Sequence, residues 1–158
     1  MKNTTKIIAA ISPILLLIGA GTASAQDATG TLNVNATVLN VCTVTTSPVV
    51  FGQVGLTDVS ANGTISVACT IAVPFDVALD GGGSGDITAR QLENTAGDVF
   101  GYQLYTTADN TVVWGDGTNG DTVAGSGPQA TLTVYGATTS GPVAPGTYTD
   151  DVTVTVTY

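Results

Sequence analysis

Few side chains in this 158-residue chain could do chemistry: two cysteines and a set of carboxylates. The chain has no histidine, so neither a Ser-His-Asp nor a Cys-His triad can be assembled. Two carboxylates could support glycoside hydrolysis. However, most of the aspartates lie in glycine-rich segments where Asp serves the turn itself; the exceptions are Asp76 and Asp80, at the strand predicted for residues 75–79. The composition therefore predicts a protein that is not an enzyme.

Residues 1–25 have the pattern of a secretory signal peptide. Lys2 and Lys6 form a short basic region, an apolar stretch follows, and residues 23–25 are a small-residue cleavage signal. The apolar stretch is short for a membrane-spanning helix, and no later segment resembles one. We therefore expect residues 26–158 to leave the cytoplasm and to carry no transmembrane segment.

Cys42 and Cys69 are the two cysteines of the chain. In a secreted protein such a pair is typical of a disulfide, and closing a loop of this length stabilises the fold by roughly 3–4 kcal/mol. The absence of a C-x-x-C motif argues against a redox site, and thiolate metal sites usually need more ligands. The sequence thus predicts a Cys42–Cys69 disulfide and no bound cofactor.

The exported part of the chain is strongly acidic. Residues 26–158 contain one basic residue, Arg90, against twelve carboxylates, which gives a formal charge of −11. Such a surface repels phosphate backbones, so we expect no nucleic-acid partner. Solubility outside the cell is the interpretation of the acidity that we prefer. The length suffices for one domain with a core of its own.

Two further features could bind ligands. Residues 116–121 offer closely spaced oxygen atoms that suit calcium, but Asp and Gly are also the ordinary residues of tight turns, which is the interpretation we favour. Aromatic residues could form a sugar-binding platform, although aromatic side chains on strands more often pack in the core. These residues are Tyr102, Tyr105, Trp114 and Tyr135.

The elements that must position these residues are β-strands. Thr, Val and Gly are abundant, and no 3.6-residue periodicity follows residue 25. Short alternating or apolar runs are separated by segments rich in Gly, Asp and Pro, which predicts seven or eight strands and an all-β sandwich. The runs are residues 32–41, 49–51, 64–69, 75–79, 99–105, 111–114, 130–135 and 148–158.

The two ends of the exported chain alternate most regularly. The sequence ends inside the last run, so we expect that strand to keep an open edge that invites pairing with another chain. Near the other end, the alternation slips at residues 38–39, and we expect a mobile leading segment to end there, before a first body strand that carries Cys42. The leading strand places Leu32, Val34, Ala36 and Val38 on one face, and the last strand does the same with Tyr148, Val152, Val154, Val156 and Tyr158.

An ordered series of short motifs resembles the spore coat protein U domain family, which includes the subunits of Csu-type, or archaic, chaperone–usher pili. Each motif alone is weak, but together they run in order through residues 30–158. They are Val41-Cys42-Thr43, Ile65-Ser66-Val67-Ala68-Cys69, Leu79-Asp80-Gly81-Gly82, Tyr102-Gln103-Leu104-Tyr105, Val113-Trp114-Gly115-Asp116-Gly117, Leu132-Thr133-Val134-Tyr135-Gly136, Pro145-Gly146-Thr147-Tyr148-Thr149-Asp150 and Val152-Thr153-Val154-Thr155-Val156-Thr157-Tyr158.

The resemblance implies an immunoglobulin-like β-sandwich that lacks its last strand and is completed by a donor strand. In such pilins a periplasmic chaperone supplies the missing strand first, and the N-terminal strand of the next subunit replaces it. Carried over by position, the donor residues are Leu32, Val34, Ala36 and Val38. Those facing the acceptor groove are Val152, Val154, Val156 and Tyr158. Cys42 and Cys69 would tie together the first two body strands.

The resemblance thus implies a structural subunit of a surface fibre. Its domains would be a signal peptide (1–25), a donor segment (26–38) and a pilin body (39–158). Its partners would be a periplasmic chaperone, an outer-membrane usher and copies of itself in a head-to-tail polymer outside the cell. The alternatives are a secreted glycan-binding β-sandwich, a coat protein of a cell or spore surface, and a monomer whose leading strand completes its own domain.

Overall fold

The computed structural model describes residues 25–158. The chain divides into a leading unit that ends at Ala36 and a body, Thr37–Tyr158. In the leading unit, residues 25–36 form no regular secondary structure. Nearly all of the predicted signal peptide lies outside the described residues, and it stays a prediction.

The body is an antiparallel β-structure. Within the described residues its sheet has the strand order β1-β2-β5-β4-β3, and β6 pairs with β2 outside this path. A short 3-10 helix, Gly82–Ser84, lies between β2 and β3. The strands are β1 (Cys42–Ser47), β2 (Ser60–Leu79), β3 (Gln91–Glu93), β4 (Val99–Tyr105), β5 (Val123–Thr138) and β6 (Val154–Thr157).

Strand β2 is the centre of the architecture. Along one edge it pairs with β5 over most of its length, with a shift of register between Ala68 and Val73. The other edge is shared between two strands: β1 pairs with residues 64–69 of β2, and β6 pairs with residues 76–79. Both β1 and β6 therefore lie along the same edge of β2, at opposite ends of that strand.

Period-2 alternation along β2 builds the core. Ile65, Val67 and Val77 are almost fully buried, whereas Thr64 and Ser66, on either side of Ile65, are not. Trp114 is also fully buried, and its indole N–H donates to the Val77 carbonyl at 2.9 Å. The buried apolar cluster consists of Ile65, Val67, Cys69, Phe75, Val77, Leu79, Tyr102, Leu104, Trp114 and Val134.

The predicted all-β class is confirmed, but several predicted strands are wrong in detail. Residues 64–69 and 75–79 belong to one long strand, β2, rather than to two. Residues 32–41 and 49–51 form no strand, and residues 111–114 make only isolated bridges. Apolar runs alone do not separate strands from core-filling loops, and residues 49–51 are such a loop.

The physical reason for the loop at residues 49–51 is a space above Gly136 on β5. A Cβ atom on Gly136 would lie only 2.7 Å from Val49 Cγ1. Val49 and Phe51 are partly buried and pack against the core cluster. Their side chains therefore cover the core without their backbone entering the sheet.

The predicted disulfide between Cys42 and Cys69 is confirmed. The two residues are register partners on β1 and β2, so the bond joins the first residue of β1 to its neighbouring strand. It closes a loop across 27 positions of the sequence. The first body strand carries Cys42, as expected, and begins at that residue, three positions after the slip in the alternation at residues 38–39.

Candidate functional site

The candidate site is the open side of the body between β1 and β6. Both strands pair with the same edge of β2, and within the described residues no strand lies between them. A closed sandwich would need a further strand at this position. Within the described residues, no strand therefore covers the core side chains at this position.

A cavity of about 260 Å³ opens on this side and reaches the core. One wall is the end of β1 with the segment that follows it, and the other is the segment that leads into β6 together with its first residue, Val154. The floor consists of core side chains from β2, β4 and β5. The apolar lining residues are Val49, Phe51, Ile65, Leu79, Leu92, Leu104, Val134, Val152 and Val154.

The side chains of the last strand alternate as the sequence predicts. Val152, Val154 and Val156 are half-buried and pack against the core cluster, whereas the threonines between them are exposed. Val152 and Val154 also line the cavity. Tyr158, the fourth residue predicted to face the groove, is 51% exposed and does not belong to the core cluster.

The backbone of β6 has one paired edge and one open edge. The Asp80 N–H donates to the Thr153 carbonyl at 3.1 Å, which places these two residues at a hydrogen-bonding position of the ladder. In an antiparallel ladder such positions alternate, so the polar backbone groups of Thr155 also point toward β2. Those of Val154 and Val156 point away from it, to an edge on which the described residues place no strand.

A buried arginine anchors the end of β2 where β6 pairs. Arg90 is only 1% exposed, and its Nη2 donates to the carbonyls of Asp80 at 2.6 Å and Trp114 at 2.9 Å. Its Nε donates to Asp80 at 2.9 Å, and its Nη1 donates to the side chain of Gln103. Burial lowers the pKa of the guanidinium from its ordinary value, and the Tyr102 and Asp80 groups oppose that shift. A buried cation is tolerated here because its donors are paired.

Because the Asp80 carbonyl accepts hydrogen bonds from Arg90, it does not accept one from the backbone of β6. The Asp80 carboxylate replaces it and accepts hydrogen bonds from the N–H groups of Thr153 at 2.8 Å and Gly82 at 3.0 Å. Desolvation opposes ionisation of Asp80, but the hydrogen bonds from Thr153 and Gly82 and the charge of Arg90 outweigh it. The pKa of this carboxyl therefore lies below its ordinary value.

A second carboxylate, Asp150, holds the segment that leads into β6. Its Oδ2 accepts a hydrogen bond from the Tyr102 hydroxyl at 2.6 Å, and its Oδ1 accepts one from the Gly83 N–H at 2.7 Å. Burial raises the pKa of Tyr102 far above its ordinary value, and the neighbouring carboxylate raises it further. The hydroxyl therefore stays protonated and donates.

The predicted donor residues are exposed. Leu32 and Val34 expose 86% and 82% of their surface, Val38 exposes 72%, and Ala36 is exposed as well. Monomeric proteins seldom expose apolar side chains in so regular a series. Their role as donors stays a prediction.

Two alternative sites have a structural explanation. Trp114 and Tyr102 are buried, so the predicted aromatic platform is not present on the surface. In the loop at residues 116–121, Asp116 Oδ1 accepts hydrogen bonds from the N–H groups of Thr118 and Asn119, which is the turn-forming role.

Residues 25–158 contain no group of His, Cys, Asp and Glu side chains that could hold a metal ion. Among those residues no helix is long and apolar enough to cross a membrane.

Sequence reasoning missed the polar residues that position β6, namely Asp80, Arg90, Tyr102 and Asp150. Arg90 carried one usable signal, because it is the single basic residue beyond Lys6 in a chain rich in carboxylates. Neither its burial nor its three backbone partners, the carbonyls of Leu79, Asp80 and Trp114, could be predicted from that fact. Those partners lie 10 to 24 positions away along the chain.

The hydrogen bond between Tyr102 and Asp150 can be tested with a matched pair of variants. We expect Tyr102→Phe to lower the free energy of unfolding by about 1.5 kcal/mol, since it removes a hydrogen bond to a charged group. Tyr105→Phe removes a hydroxyl on the same strand for which the described residues offer no partner, and it should change stability by less than about 0.5 kcal/mol. Denaturant unfolding measures both values, and equal losses would contradict the assignment.

The pKa of Asp80 predicts an acid dependence of stability. Because the folded-state pKa is lowered from 3.8, the ionised carboxylate stabilises the fold above that pH, and the contribution is lost as pH falls further, through the folded-state pKa. Asp80→Asn should therefore be less stable than the parent chain at pH 7, and the difference should shrink below pH 3.8. Unfolding curves of both chains across this range provide the measurement. A difference that does not change with pH would contradict the prediction.

Comparison with known proteins agrees with this architecture. The family model of the Spore Coat Protein U domain matches residues 28–155. No curated protein matches the sequence. The fold is similar to that of a chain in the crystal structure of the CsuC–CsuE chaperone–tip adhesion subunit pre-assembly complex from archaic chaperone–usher Csu pili of Acinetobacter baumannii, with a TM-score of 0.57 and 22% sequence identity. The match covers 77% of this chain and 40% of that one.

The family match extends from the exposed leading segment through both long strands to the first two residues of β6. The structural likeness agrees with the predicted fold class. The family that the ordered motifs indicated is confirmed: the chain belongs to the Spore Coat Protein U domain family.

Proposed function

We propose that this chain is a structural subunit of a surface fibre that polymerises by donor-strand exchange. The open side between β1 and β6 accepts a strand, and the segment 26–38 is the strand that each copy donates. The observation that carries the proposal is the core-lined cavity bordered by β6, a strand whose outer edge is unpaired within the described residues.

The physics of strand addition fits this geometry. Main-chain hydrogen bonds to the open edge of β6 would provide affinity, and alternate apolar side chains would fill the cavity. An isolated copy leaves core side chains and backbone groups uncovered, so we expect it to be marginally stable and prone to association. Because donor and acceptor are different surfaces, the contact between copies is heterologous and does not close, which produces a filament.

The leading segment has the properties that a donor needs. Leu32, Val34, Ala36 and Val38 alternate with polar or small residues, and their side chains are exposed. On an extended strand, four such residues span about 20 Å. This segment therefore presents one apolar face, which would pack into the groove lined by Val152 and Val154.

The same reasoning supports a chaperone as an earlier partner. In the similar solved structure, a chaperone and a tip adhesion subunit of a pilus form a pre-assembly complex. We propose that a periplasmic chaperone covers the open side of this chain until another copy replaces it, and that an outer-membrane usher exports the product. The chain would then act in the periplasm and afterwards at the cell surface.

The donor face can be tested by placing one carboxylate on either side of the strand. We expect Val34→Asp to abolish polymerisation, because the charge would be desolvated in the apolar groove. Asn35→Asp adds the same charge one position along, on the opposite face, and should polymerise like the parent chain. The measurement is the ladder of detergent-resistant multimers on a denaturing gel of unboiled sample, after expression with the cognate chaperone and usher.

Both variants should be exported and oxidised equally, which mass spectrometry of the Cys42–Cys69 disulfide checks. A normal ladder from Val34→Asp would refute the donor assignment. A parent chain that stays a single stable monomer would favour the alternative in which the leading strand completes its own domain.

A further inference from the structure

Arg90 is the single residue of the described chain at which a protease specific for basic side chains could cut. Residues 25–158 contain no lysine and no other arginine. Arg90 is 1% exposed in the folded body. We infer that the Arg90–Gln91 peptide bond is a conditional cleavage site for trypsin-like serine proteases, closed in the folded body and available once the body opens.

The guanidinium is out of reach of a protease in the folded state. Such enzymes bind the basic side chain in a pocket with a carboxylate at its base. In this structure the same nitrogen atoms donate to the carbonyls of Asp80 and Trp114 and to the side chain of Gln103. The side chain must leave all of these acceptors before it can enter a protease pocket.

The peptide bond itself is also held in place. The Arg90 carbonyl, which the protease would attack, accepts a hydrogen bond from the Tyr102 N–H at 3.1 Å. Gln91, on the other side of the bond, begins β3 and pairs with Gly101 on β4. Cleavage therefore requires β3 to separate from β4 as well as extraction of the side chain from the core.

The cleavage step is ordinary hydrolysis. Water adds across the Arg90–Gln91 bond, which leaves a carboxylate on Arg90 and an ammonium group on Gln91. Cys42 and Cys69 both lie on the N-terminal product, so the disulfide does not hold the products together. The cut separates β1 and β2 from β3, β4, β5 and β6, and it destroys the acceptor side of the body. An opened chain is thus inactivated by one cut, whereas a folded chain is spared.

The test compares cleavage at Arg90 with cleavage at an engineered exposed site. Leu56 is 78% exposed in the loop between β1 and β2, and Leu56→Arg introduces a basic residue there. The chain exported to the periplasm is treated with trypsin, and the products are identified by mass spectrometry. We expect the folded Leu56→Arg chain to be cut after position 56 at least about 100-fold faster than after Arg90.

The parent chain, once reduced and unfolded in denaturant that trypsin tolerates, should be cut rapidly after Arg90 and release the fragment 91–158. Cleavage after Arg90 and after position 56 at similar rates in the folded variant would overturn the inference. So would an unfolded chain that remains intact at Arg90. Neither result depends on whether the chain forms fibres.

Discussion

A β-strand has two edges, and the strands that pair with the two edges of β2 determine the rest of the structure. One edge is taken by β5, and the other is divided between β1 and β6. Because these two strands pair with different ends of β2, the core is left open between them, and the apolar side chains of residues 152–156 border the opening. The disulfide between Cys42 and Cys69 holds β1 at one end of this arrangement, and the hydrogen bonds of Asp80 and Asp150 hold the approach to β6 at the other.

The approach to β6 depends on one buried positive charge. Arg90 binds the Asp80 carbonyl, so the Asp80 carboxylate turns to the Thr153 N–H, and the ladder between β2 and β6 ends there. The arrangement keeps every polar side-chain atom in the buried part of the described body paired. The cavity is lined mainly by apolar side chains, and its two carboxylates, Asp150 and Asp151, lie on the segment that leads into β6. An open groove beside a firmly held edge strand is what strand addition requires.

Much of this could be predicted from sequence, because period-2 alternation is a local property. The strand at residues 99–105 and the inward face of residues 152–156 follow from patterns within a few positions. The pairing of Cys42 with Cys69 follows from the presence of two cysteines in a chain with a secretory signal. The continuity of β2 could not be predicted. Pro74 separates its two apolar runs, and a proline in such a place usually ends a strand, but the structure shows only a shift of register between Ala68 and Val73. The loop at residues 49–51 could not be predicted either, because its place depends on the missing side chain of Gly136. The Arg90 cluster joins residues from four separate segments, and only the folded chain brings them together.

Amide hydrogen exchange at β6 tests whether the open side accepts a strand from another copy. The N–H of Thr155 points toward β2 and should be protected in the single chain and in the fibre alike. The N–H groups of Val154 and Val156 point to the open edge, so they should exchange rapidly in the single chain and become protected in detergent-resistant multimers. If Val154 and Val156 exchange as rapidly in those multimers as in the single chain, the copies are joined in another way, and donor-strand exchange at this groove is wrong.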